Sequence, residues 1–168
     1  MENNPNSNFV FVDSCIIEEI IFMQPLYEKC QDVLRSLNEN EKKLCFSPVV
    51  IFEITEEINS KSLKENPDNS AVRIDRAKKN RREALNKFLI SFKTLCSKYE
   101  LLWPESSFSS IYEKCSSNSR IEPNDNLNLA IAISNGCASF LTKDQKIKDS
   151  EKGIKEISKN ELKIIFIN

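Results

Sequence analysis

The chain alternates short unbroken apolar runs with longer segments whose apolar residues recur at helical spacing. The first run, Phe9–Val12 (FVFV), follows a loose polar tail at residues 1–8 and ends at once in Asp13. Being apolar at every position, it suits a strand covered on both faces, as in a parallel sheet. Helix is expected from Ser14, with Pro25 as the first residue of a second helix reaching about Leu37. Lys43–Phe46 reads as a second strand. Ser47-Pro48 then starts a helix, with a hydroxyl cap and proline at the first helical position. Val49, Val50, Phe52, Ile54 and Ile58 continue that helix, and Glu53 lies inside it.

Residues 60–70 are polar, contain Pro67 and read as a loop. Residues 70–99 form a long amphipathic pattern through Ile74, Ala77, Leu85, Phe88, Phe92, Leu95 and Cys96. Residues 101–103 read as a third strand stopped by Pro104, and residues 108–115 as a short helix. Asn124 and Asp125 open an apolar helix carrying Leu127, Leu129, Ala130, Ile131 and Ile133, which must be buried on nearly every side. Gly136 stands where a left-handed stop residue is expected. Residues 138–142 then read as a strand with Asp144 just past its end, and residues 154–157 and 163–167 as closing strands. The alternation of strand and helix predicts one α/β layered domain over residues 1–168, with a mostly parallel sheet and no internal repeat.

Composition narrows the chemistry more than the fold. Two glycines in 168 residues argue against Gly-rich phosphate loops and hairpin-rich β architecture. The absence of histidine removes Ser-His and Cys-His pairs, His-containing zinc sites and any imidazole acid–base catalyst. None of the six cysteines forms a Cys-x-x-Cys pair, so they read as small buried hydrophobes in a reducing cytoplasm. No apolar run approaches membrane-spanning length. The net charge of −1 excludes a uniformly basic nucleic-acid binder while leaving room for a local basic patch.

Functional groups on a parallel sheet gather outside the carboxyl ends of its strands. Asp13 ends the first strand, Asp144 follows the strand ending at Thr142, and Glu53 lies about two turns into the helix after the second strand. Asp125 opens the helix leading into the strand before Asp144. Parallel strands would bring all four carboxylates to one edge, where they repel unless a cation joins them. Oxygen ligands without histidine or clustered cysteine select a hard ion, Mg²⁺ or Mn²⁺.

In this order and setting, four motifs resemble the PIN-domain nucleases, in particular toxin ribonucleases of the VapC type. They are VDS at residues 12–14, SPVVIFEI at 47–54, DNLNLAIAISNG at 125–136 and FLTKD at 140–144. Cys15 departs from the Asn or Ser usual after the first motif, and residues 60–99, an elaborated loop and long basic amphipathic helix, are longer than the same stretch of compact members. The resemblance implies a three-layer sandwich and metal-dependent hydrolysis of RNA phosphodiester bonds by an endoribonuclease. It implies Asp13, Asp125 and Asp144 as principal ligands, Glu53 holding a metal-bound water or second ion, and Ser14 and Thr142 orienting the carboxylates. A small inhibitory antitoxin and a homodimer are the partners it implies besides RNA, with no membrane.

Each acid also has a plainer reading. Taken alone, Asp13 serves as well as a helix cap as it does as a ligand, while Asp125 alone reads first as a charge complementing the helix dipole and Asp144 alone as a turn former; together the four acids outweigh these separate readings. Glu53, with apolar neighbours, is the hardest to dismiss, and Asp149 reads as a solvated charge. The stretch RIDRAKKNRREALNK, residues 73–87, has seven basic residues and two acids. It is either a solvated helix face or a phosphate-tracking rail through Arg76, Lys79, Arg81 and Arg82. Tyr112 is a candidate for base stacking, while Trp103 reads as core. Two rival classes remain. A receiver-type phosphoacceptor would want adjacent acids after the first strand, which are absent here. A non-catalytic PIN-like module binding RNA or protein would keep the fold without the reaction.

Overall fold

The computed structural model describes residues 8–64, 79–80, 82–86, 88–90, 99–117, 120–159 and 161–168. Five parallel strands form one sheet: β1 (Phe9–Val12), β2 (Lys43–Phe46), β3 (Tyr99–Leu101), β4 (Ser139–Thr142) and β5 (Lys163–Phe166), in the order β3-β2-β1-β4-β5. Phe11 lies opposite Cys45 on one side and Phe140 on the other. All four residues of β1 are buried, as an uninterrupted apolar run on a doubly covered sheet requires.

Helices α1 (Ser14–Ile21) and α2 (Tyr27–Glu39) connect β1 to β2, and α3 (Pro48–Lys64) follows β2. After β3 come α4 (Phe108–Ser116) and α5 (Pro123–Ser134); α6 (Gln145–Asp149) and α7 (Glu151–Ile157) join β4 to β5. The chain steps outward from β1 through β2 to β3, and in the opposite direction from β4 to β5. Right-handed crossovers therefore put α1 and α2 on one face and α6 and α7 on the other, giving three layers. In the core, the Phe11 and Phe140 rings stack with centroids 5.1 Å apart. Ile16, Leu34, Ile54, Leu129 and Ile147 close over the sheet from the helices.

Several local expectations are met for their stated reasons. Ser47 caps α3 by accepting the Val49 N–H at 3.1 Å, and Gly136 has φ 66°, a conformation strained for any residue with a Cβ. In α5, Asn126, Asn128 and residues 129–132 are buried, while Leu127 and Ile133 are half-buried.

Other expectations are corrected. Residues 154–157 belong to helix α7, because Ile154 and Ile157 are one helical turn apart and a short apolar window cannot separate the two periodicities. Pro25 does not open α2. It sits in the turn before it, where Met23 has φ 48° and the Tyr27 N–H bonds the Gln24 carbonyl. Helix α3 runs to Lys64, beyond the predicted loop start at Ser60. The third strand is Tyr99–Leu101, earlier than predicted, and the Leu102 N–H extends its pairing to the Phe46 carbonyl. Leu102 then takes the inward position, and Trp103 is 62% exposed, outside the core. Much of the predicted 70–99 helix lies outside the described residues; 79–80, 82–86 and 88–90 are helical, with Phe88 against the core. No helix among the described residues is long and apolar enough to cross a membrane.

Candidate active site

The strand order changes direction between β1 and β4, the place where open α/β sheets hold their functional groups outside the carboxyl ends of the strands. Asp13 follows the last residue of β1 there and is 1% exposed. Its Oδ1 accepts the Ser14 N–H at 2.9 Å, capping α1, and its Oδ2 accepts the Thr142 hydroxyl at 2.7 Å and the Cys15 thiol at 3.2 Å. The Thr142 hydroxyl oxygen also accepts the Asp144 N–H at 2.9 Å, so one buried side chain links the end of β1 to the start of α6. Asp144 in turn caps α6, its Oδ1 accepting the Lys146 N–H at 2.6 Å.

The second half of the site comes from α3 and α5. The Ser47 hydroxyl donates to Asn128 Oδ1 at 2.6 Å, and Asn128 Nδ2 donates to Glu53 Oε2 at 3.1 Å. Ser14 and Asn124 also hydrogen-bond Glu53. Asp125 is in the first turn of α5, half-buried and on the same helix face as Asn128. Sequence reading missed Asn128; an amide set between Leu127 and Leu129, three residues after a candidate ligand in a helix expected to be buried, was the available signal. It also missed Glu19, whose burial nothing in its local sequence announces.

The four acids feel one another's charge. Burial pushes the Asp125 carboxyl up to about 8, and the fields of Asp13, Asp144, Glu53 and Glu122 push the same way. Burial also raises Asp13, against hydrogen bonds from Thr142, Cys15 and Ser14, with Asp144 adding to the rise. Glu53 is raised by burial and then by Asp13. Asp13, Asp125 and Glu53 are thus disfavoured as bare anions, and the carboxylate oxygens of the four acids are a set suited to a hard divalent cation. Among the described residues, no group of three or more Asp, Glu or Cys side chains stands ready-made as a coordination shell.

The remaining candidates among the described residues take no part in these hydrogen bonds. Lys79 pairs with Glu83 at 4.0 Å, and both are exposed. Arg82 is exposed; Arg76 and Arg81 lie outside the described residues. Asp149 is exposed and accepts Gln145 Nε2 at 2.6 Å. Tyr112 stacks on Phe108 at 5.8 Å. Lys146, exposed and paired with Glu122 at 2.7 Å, sits in the field of Asp144 and Asp125 at the rim.

A parallel three-layer sheet with acids at the β1/β4 switch point is the architecture of a PIN domain. Residues 10–152 match the PIN-domain family model, and the chain belongs to that family. Among solved structures it is similar to VapBC2 from Rickettsia felis bound to a DNA fragment from their promoter, with 16% identity and a TM-score of 0.56. That alignment covers 93% of this chain and 98% of the other, and at such identity the likeness is one of fold. No curated protein matches the chain.

Proposed function

We propose that this PIN domain is a divalent-metal-dependent endoribonuclease and the toxin of a toxin–antitoxin pair. One observation carries the reading: four acids from β1, α3, α5 and the β4–α6 junction act on one another electrostatically at the switch point of the sheet. Asp13, Asp125, Asp144 and Glu53 would hold Mg²⁺ or Mn²⁺. When bound, such an ion supplies an acidified water and offsets charge developing on the phosphate.

The chain's own residues prepare the site. Thr142 keeps one Asp13 oxygen and the Asp144 backbone in fixed relation, while Asn128 and Ser47 hold the Glu53 carboxylate. Burial around Asp13 excludes water that would otherwise screen the acids. Lys79 and Arg82, with Arg76 and Arg81, would offer the positive surface that draws a polyanion towards an acidic centre.

The toxin assignment draws support from the likeness to VapBC2, a complex bound to its promoter DNA. It predicts a small inhibitory antitoxin, action in the cytoplasm and a homodimer. Growth arrest on expression, relieved by an adjacent open reading frame, tests the first point; light scattering tests the last.

The test of the enzyme is cleavage of RNA by the purified protein with Mg²⁺ or Mn²⁺. Activity should disappear in EDTA and in Asp13→Asn or Asp125→Asn. Equal activity in wild type and Asp125→Asn would remove the site assignment. A second reading, a non-catalytic PIN-like module binding RNA or protein, is favoured by the lack of a ready-made ligand shell among the described residues. It predicts RNA retention without cleavage under every metal condition.

A further inference from the structure

We propose that the ion pair between buried Glu19 and half-buried Lys143 is a positioning device that holds Asp144 towards Asp13 and Asp125; the inference rests on the nuclease reading of those acids. Glu19 lies on α1 and is 2% exposed. One of its carboxylate oxygens meets Lys143 Nζ, and the other accepts the Leu26 N–H at 2.8 Å, in the turn before α2. Lys143 Nζ donates also to Gln24 Oε1 at 3.3 Å, and its backbone N–H donates to Cys15 Sγ at 3.4 Å. Lys143 is thus held at both backbone and side chain, by α1 and the turn that follows it.

Its neighbours in sequence explain why that matters. Thr142 bonds Asp13 and receives the Asp144 N–H, while Asp144 opens α6. A lysine beside a cluster of acids would ordinarily turn towards them as a counter-ion. Here the ammonium is directed to Glu19 and Gln24 on the α1 side, leaving the acids free for another cation. Stability alone is a poor reason for the arrangement, because a buried ion pair is often matched or exceeded by apolar residues of similar volume. What apolar residues lack is a directional bond that sets the backbone of residues 142–144.

That difference gives the test. In the double variant Glu19→Gln/Lys143→Met both charges go, and the glutamine carbonyl can still accept the Leu26 N–H, so neither a buried charge nor that backbone donor is left unpaired. The protein should fold with a melting temperature near that of wild type. RNA cleavage should lose kcat by about tenfold or more with KM nearly unchanged, and Mn²⁺ affinity measured without RNA should fall by a similar factor. Amide hydrogen exchange at residues 143–146 should quicken, and the single variant Lys143→Arg, which keeps the charged anchor on Glu19, should retain most of the wild-type kcat. Wild-type kcat, Mn²⁺ affinity and amide protection in the folded double variant would overturn the proposal. If the wild type itself cuts no RNA, the nuclease reading fails separately. Exchange and Mn²⁺ affinity then decide the pair: a change in both upholds its role, and no change overturns it.

Discussion

Removing the charge of Asp125 should make the metal-free protein more stable at pH 8. The carboxyl is displaced from an ordinary 3.8 to about 8 by burial and then by Asp13, Asp144, Glu53 and Glu122. Between those two values the unfolded chain has released this proton and the folded chain retains it. Stability therefore falls as pH rises from about 4 to about 8 and levels off above. At ~1.4 kcal/mol per pH unit the whole displacement bounds the effect near ~6 kcal/mol. Asp125 is only partly buried, and water screening leaves roughly 1–3 kcal/mol. In a domain of this size that is roughly 3–9 °C in Tm. The assay is thermal unfolding of wild type and Asp125→Asn in EDTA at pH 5, 6.5 and 8. The variant should gain on wild type steadily across the series, keeping a smaller slope from Asp13 and Glu53, which burial also raises. Saturating Mg²⁺ should reverse the order at pH 8, because binding to the folded state stabilises wild type more than a variant lacking one ligand. Parallel pH profiles in EDTA would refute the claim that the acids share one desolvated, mutually repelling site.

Thr142→Val keeps the shape of a fully buried side chain but removes the hydroxyl serving Asp13 and Asp144. Urea unfolding should show a loss of about 1–3 kcal/mol, and cleavage a lower kcat. Phe140→Ala deletes the ring stacked on Phe11 in the core and should cost about 3–5 kcal/mol in the same assay. Gly153→Ala lies within α7, where an added Cβ meets nothing within 4 Å. It should raise stability by about 0.5–1 kcal/mol, and a loss would mean that the helix needs glycine's freedom there.

Much of the architecture was legible because local rules and tertiary demand agreed. FVFV has no polar face to expose, so β1 is central; Ser47-Pro48 and Gly136 mark helix limits by backbone chemistry that acts within a few residues. Misreadings fell where a short window serves two structures. Ile154 and Ile157 suit a strand until packing chooses the helix, and Trp103 looks like core until register gives the inner place to Leu102. Helix α2 starts two residues after Pro25 because the turn before it already uses the proline.

By itself, the order of residues determined which groups were available: three acids at strand and helix ends and a fourth inside a helix, no imidazole, and apolar runs suited to parallel strands. Tertiary structure decided which of them act together. Asp13 and Thr142 are 129 positions apart and meet at 2.7 Å, while buried Glu19 meets half-buried Lys143 in a pairing that neither local sequence predicts. The physical reason is that electrostatic coupling depends on distance through space and on the exclusion of water, both set only when the sheet closes and its helices cover it.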